Sequence, residues 1–74
     1  MVKTMLRTSV VSSNLESVGY DNANQILEIQ FHSGGIYQYF AVPESVYQEL
    51  MSASSHGGYF AAYIKNVYRY RKVS

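Results

Sequence analysis

Leu27, Ile29 and Phe31 alternate with Glu28, Gln30 and His32, and after Ser33-Gly34-Gly35 a second run, Ile36 to Val42 (IYQYFAV), is again largely apolar. Period-two alternation marks a strand with one buried face. Glycines between two such runs supply the tight reversal of a hairpin. The first arm declares its inner face, whereas the second does not, because Ile36, Phe40 and Val42 oppose Tyr37, Tyr39 and Ala41. A two-residue loop at Ser33-Gly34 pairs Phe31 with Ile36 and Leu27 with Phe40, leaving Tyr37 and Tyr39 outside with Glu28 and Gln30. A three-residue loop over Ser33–Gly35 pairs Phe31 with Tyr37 and Ile29 with Tyr39 and buries both. One residue of register flips the face, and the pattern leaves both alternatives open.

The rest of the chain is read around this hairpin. Met1–Lys3 is expected to fray, and Met5–Val11 alternates loosely enough for a strand. Ser12-Ser13-Asn14 is a turn cluster. Leu15–Tyr20 separates its faces poorly, and Gly19 within it points to a bulge or a close backbone approach. Asp21–Asn24 turns the chain into the hairpin. Past it, Pro43 suits the first turn of a helix. Val46, Tyr47, Leu50 and Met51 then recur at helical spacing through about Ala53. Ser52–Gly58 reads as a loop, and Tyr59 to about Asn66 as a second helix with Phe60, Tyr63, Ile64 and Val67 on one side. Val67–Ser74 is an extended arm or an edge strand. Strands first and helices afterwards argue an α+β fold: a three- or four-stranded antiparallel β-meander followed by two short helices. Leu27, Ile29, Phe31, Leu50, Phe60 and Ile64 are the expected core.

Composition narrows the picture. Seventy-four residues make one domain, and a core of this size is marginal without staples. There is no cysteine, so no disulfide or thiolate zinc site contributes. Eight tyrosines and three phenylalanines are the compensation, since aromatic rings bury large areas. No apolar run reaches the ~20 residues of a membrane span, and no signal-peptide pattern opens the chain. A soluble, cytoplasmic protein without a membrane partner is expected.

Charge is unevenly placed. Residues 1–49 carry Lys3 and Arg7 against Glu16, Asp21, Glu28, Glu44 and Glu49, a net −3; residues 50–74 carry Lys65, Arg69, Arg71 and Lys72 and no acid, a net +4. Such asymmetry points to an acidic partner for the C-terminal end, or to a solvated tail that aids solubility.

Catalytic chemistry finds little support. His32 and His56 lie 24 residues apart with no ligand spacing around them, so no metal site is expected. The serines fall at cap and turn positions, where their hydroxyls satisfy backbone donors, and the adjacency of His32 and Ser33 does not make a triad. Ser54–Gly58 precedes a helix and resembles an anion cradle only weakly. No cofactor motif is present, and a non-enzyme is expected. The strongest constellation is aromatic and basic: Tyr37 and Tyr39 two apart on a strand, then Lys65, Tyr68, Arg69, Tyr70, Arg71 and Lys72. Tyrosines can stack unpaired bases while cations neutralise phosphates, so RNA is the leading partner. The alternative is a protein-interaction module that docks another chain through the sheet or the tyrosine surface. A monomer is expected in either case.

The blocks SSNLESVGYD, LEIQFHSGGIYQYFAVP, VYQELMSASSHGGYF and YIKNVYRYRK, taken in order, resemble the KTSC domain. That family is named for its place at the C-terminus of some lysyl-tRNA synthetases and also occurs as small stand-alone bacterial proteins. Its central Tyr-x-Tyr is matched by Tyr37-Gln38-Tyr39. The resemblance runs from about Thr8 to Lys72 and implies a single domain over residues 1–74 with its core at about 8–72. It implies no established activity; RNA or tRNA binding follows only from the synthetase context. Many similar sequences carry proline between the two late tyrosines, where this chain has Arg69, so its tail is more basic and its φ less constrained.

Overall fold

One carboxylate ties the sheet's reversal over Asp21–Asn24. Asp21 Oδ1 accepts from the backbone N–H groups of Ala23 (3.1 Å) and Asn24 (3.3 Å), while Asn24 Nδ2 donates to Asp21 Oδ2 at 2.9 Å. This side-chain turn joins β2 (Leu15–Asp21) to β3 (Ile26–Phe31) in a computed structural model that describes residues 6–74. The next reversal joins β3 to β4 (Ile36–Tyr39). Phe31 N–H donates to Gly35 O and Gly34 N–H to Phe31 O, both at 2.9 Å. The loop is therefore the three residues His32-Ser33-Gly34, one position earlier than the Ser33–Gly35 alternative. Gly34 holds φ at +107°, a conformation only glycine adopts cheaply, as three-residue hairpins require.

The register that follows pairs Leu27 with Tyr39 and Ile29 with Tyr37. The tyrosines thus share the face of Leu27 and Ile29, as in the buried alternative, although each sits two residues from the partner expected there.

Upstream, β1 (Thr8–Ser9) pairs with β2 within the expected 5–11 segment; Met5 and the frayed start at Met1–Lys3 lie outside the described residues. The bulge in β2 falls between Leu15 and Ser17 and not at Gly19. Its cause is spacing. Leu15 and Val18, three apart, face the same core only if one residue is inserted between them.

Downstream, α1 (Glu44–Ser52) begins after extended Pro43 and buries Leu50. The second helix, α2 (His56–Tyr63), starts three residues earlier than its apolar pattern implied. Ser55 is the reason: its Oγ accepts from Gly58 N–H at 3.0 Å and caps the helix start. A Cβ at Gly58 would lie 2.9 Å from that oxygen, so the cap needs the glycine. The His56 Nδ1–H donates to Leu50 O at 2.9 Å, tying the two helices. The tail then returns to the sheet as β5 (Tyr70–Lys72), antiparallel to β4.

The result is an α+β fold with five antiparallel strands in sequential order, β1-β2-β3-β4-β5, the helices lying between β4 and β5 in the chain. The fifth strand is the tail, whose alternation was compatible with an edge strand. Leu15, Val18, Leu27, Ile29, Tyr39, Val42, Leu50, Phe60 and Ile64 form the core. Five of the six expected residues are among them; Phe31 is only partly buried.

The opposite face of the sheet holds a surprise at Glu28, which alternation placed toward solvent and which is 3% exposed. Its carboxylate is paired with Arg7 and accepts from Gln38 Nε2 at 3.0 Å. Arg7 Nε also donates to Ser17 Oγ (3.0 Å), and that hydroxyl donates to Gln30 Oε1 (2.9 Å). A period-two pattern reports polarity, not exposure, and here cross-strand polar neighbours cover one another. Among the described residues no buried side-chain N or O lacks a partner.

Two outcomes follow for stability. Leu27→Ala or Phe60→Ala costs about 2–5 kcal/mol, comparable to the whole stability of so small a domain, and lowers the thermal midpoint far beyond a degree or two. Arg7→Ala strands a buried carboxylate and costs about 3 kcal/mol. Adding Glu28→Gln to it recovers part of that loss, which denaturant melts of the single and double variants measure.

Candidate functional site

The register of β4 brings five aromatic rings into one closed circuit. Tyr39 meets Phe60 of α2 edge-on (5.4 Å between centroids, 80°), and Phe60 meets Phe31 (5.4 Å, 69°). Phe31 stands edge-on to Tyr37 (5.5 Å, 82°). Tyr70 of β5 closes the circuit against Tyr37 (5.8 Å) and Tyr39 (5.6 Å). Such tilted and edge-to-face pairs add stability beyond the area they bury.

This circuit floors an open groove of ≈ 540 Å³. On one side stand Asn14 and the His32-Ser33 turn; on the other, Ala61 of α2, then Lys65 and Asn66 just past its end. The first wall continues the strand ends, because His32 N–H donates to Asn14 O at 2.9 Å and extends the β2–β3 pairing past Leu15 and Phe31. Lys72 stands opposite Tyr37 on β5. A Cβ at Gly35 would lie 3.0 Å from Tyr37 Cε1 and 3.6 Å from Lys72 Cε. Gly35 therefore leaves room for the Tyr37 ring and the lysine stem beside it.

Exposure rises across the floor, from Tyr39 at 4% through half-buried Tyr37 to Tyr70 at 59%. Burial, then the neighbouring Tyr70 and Tyr37, push the Tyr39 phenol up to about 12, so at neutral pH it is an un-ionised hydroxyl. That hydroxyl makes no hydrogen bond to another described residue. His32, by contrast, is already engaged: Nε2 lies 2.9 Å from Ser12 O, and Nδ1 lies 3.6 Å from the Glu16 carboxylate.

The residues singled out in the sequence divide three ways. Tyr37, Tyr39, Lys65 and Tyr70 line the groove, and Lys72 joins its margin. Arg71 pairs across from Gln38 and so points to the opposite face, toward the Arg7–Glu28 cluster. Tyr68 and Arg69 line a separate shallow hollow with Phe40, Ala41 and Val67. The polar walls were missed: Asn14 and Asn66 looked like turn formers, and only the docking of α2 against the hairpin end gives them a shared groove. Among the described residues no group of three or more His, Cys, Asp or Glu is placed to hold a metal ion, and no helix is long and apolar enough to cross a membrane.

A protein-family model for the KTSC domain matches residues 11–73. The chain belongs to the KTSC domain family. An uncharacterized protein of Stutzerimonas stutzeri is 46% identical over 70 residues, 93% of this chain and 99% of that one. A lysine–tRNA ligase of Trichormus variabilis is 39% identical over 62 residues, which are 84% of this chain and 11% of that protein. The crystal structure of a KTSC domain protein from Yersinia pestis superposes with a TM-score of 0.92 at 46% identity, covering 96% of this chain and all of that one.

The raised Tyr39 phenol makes KTSC stability depend on alkaline pH. In the unfolded chain the group ionises near 10, in the folded one near 12. Its contribution is therefore complete below pH 10 and is lost as pH rises toward 12. Tyr59, pushed up to about 12 by burial and then by its hydrogen bond to Glu49 (2.8 Å), adds to the same decline. Denaturant melts between pH 8 and 12 show the decline in wild type and a shallower one in Tyr39→Phe.

Proposed function

We propose that this KTSC domain is a monomeric, non-catalytic, cytoplasmic module that binds unpaired RNA, tRNA among its candidates, on the aromatic groove. The observation that carries the reading is the closed aromatic floor, open to solvent at Tyr70 and bordered by Lys65 and Lys72. An exposed ring offers a face to any unpaired base, and stacking contributes about 1–3 kcal/mol per base. Lysines at the two margins supply point charges for the flanking phosphates. The occurrence of the same domain within lysine–tRNA ligases supports a tRNA setting without fixing the ligand.

The placement of the cations sets the expected salt dependence. If Lys65, Arg69, Arg71 and Lys72 all met phosphates, log affinity would fall against log salt with a slope of about −2.8. Only Lys65 and Lys72 border the groove, so the slope is about −1.4. Arg69 and Arg71 add diffuse attraction at the basic end.

Titration of labelled single-stranded RNA and of tRNA across a salt series tests this reading. Lys65→Ala flattens the slope by about 0.7, whereas Arg71→Ala leaves it nearly unchanged. Tyr70→Ala weakens binding by about 1–3 kcal/mol with little loss of stability, since the ring is largely exposed. No binding to either RNA below ~100 micromolar at low salt, the weak end of non-specific nucleic-acid affinity, would favour docking of a protein partner instead.

A further inference from the structure

The Tyr39 hydroxyl carries a more specific inference, which rests on the RNA-binding reading. Tyr39 is 4% exposed, yet its hydroxyl has no hydrogen-bond partner among the described residues. No buried side-chain oxygen there lacks a partner, so this hydroxyl is not one of the sealed atoms. It opens onto the groove that Tyr39 lines. Two more unengaged polar groups line the same groove. The side-chain amides of Asn14 and Asn66 make no hydrogen bond to other described residues and line opposite walls of the same groove. Open to the groove, the hydroxyl can exchange water for a ligand's hydrogen bond. A hydroxyl open to an aromatic groove, with two unengaged amides in its walls, is an arrangement that a ligand with a polar edge completes.

We propose that the groove takes one unpaired nucleobase with its polar edge turned inward to the Tyr39 hydroxyl, its face against Tyr70, and the Asn14 and Asn66 amides hydrogen-bonding its remaining edge groups. The floor explains the edge-first pose. Phe60 stands edge-on to both Phe31 and Tyr39 at the buried end, and Tyr70 is the exposed ring of the floor. Size agrees: ≈ 540 Å³ falls within the range of small-molecule pockets, roughly 300–1,000 Å³, suited to one nucleotide and not to a stacked run. Polarity selects as well. An apolar amino-acid side chain seated here would cover the hydroxyl and leave it unpaired, the kind of loss by which polar sites reject apolar analogues. Amides and a neutral hydroxyl each both donate and accept, so the site distinguishes base from no base more sharply than one base from another.

Calorimetric titration of the full chain with two trinucleotides, one with a central adenine and one abasic at that position, tests the proposal. Wild type is expected to bind the adenine-containing strand about ten-fold more tightly or better. Tyr39→Phe keeps the ring and its packing, and it should bring the two strands to within about three-fold. Asn66→Ala, at an exposed position, should reduce the preference by several-fold without moving the melting temperature. If wild type binds both strands equally, the base does not enter and the inference fails while phosphate binding stands. If Tyr39→Phe keeps the full preference in a folded protein, the hydroxyl does not read the base and the inference fails. If wild type binds neither strand, nor longer RNA, the RNA-binding reading falls and takes the inference with it.

Discussion

The loop between β3 and β4 decides which way the tyrosines face. His32, Ser33 and Gly34 make a three-residue reversal because Gly34 can hold a left-handed φ. A loop one residue shorter would shift every residue of β4 to the other face of the sheet. Ile36 and Gln38 would then be in the core, and Tyr37 and Tyr39 would stand over the Arg7–Glu28 pair. With the observed register, Tyr39 lies within the core and Tyr37 at its margin. β5 then adds Tyr70 beside both, and α2 brings Phe60 down on them. Floor and groove are consequences of one turn.

The two faces of the sheet solve the problem of small size differently. Toward the helices, large rings and branched aliphatic residues fill a single core, as expected of a small chain without cysteine. On the other face, the Arg7–Glu28 ion pair, Ser17, Gln30 and Gln38 form a connected polar cluster. Gly19, opposite Glu28, brings no side chain to that face. Such a cluster stabilises less per unit area than apolar packing, and breaking it is expensive because it leaves a charge behind.

The order of elements, the α+β class, both helices and most of the core were legible in the sequence, because long periodic segments announce themselves. Local chemistry outranked periodicity where expectation and structure part. Ser55 caps α2 ahead of its first aromatic residue, the need for Leu15 and Val18 to share a face moves the bulge to Glu16, and the tail finds a free sheet edge. Of the functional constellation, Tyr37, Tyr39, Lys65, Tyr70 and Lys72 come together, whereas Tyr68, Arg69 and Arg71 do not. Strand parity explains the split: on β5 Tyr70 and Lys72 face the groove, so Arg71 between them cannot. Asn14 and Asn66 were illegible because no local pattern distinguishes an asparagine that ends an element from one that lines a groove.

Membership of the KTSC family joins this chain both to small uncharacterized proteins and to a small part of lysine–tRNA ligases. A groove complete within the domain is compatible with both settings. Its role is read most directly by mapping amide chemical shifts of the labelled protein during addition of a single-stranded oligonucleotide. The account predicts shifts that follow binding at Asn14, His32, Lys65, Asn66 and Tyr70, around the groove, with little change at Ser17, Gln30 and Arg71. Shifts concentrated on the face of Arg71 and Gln38, or confined to the hollow of Tyr68 and Arg69, would contradict it.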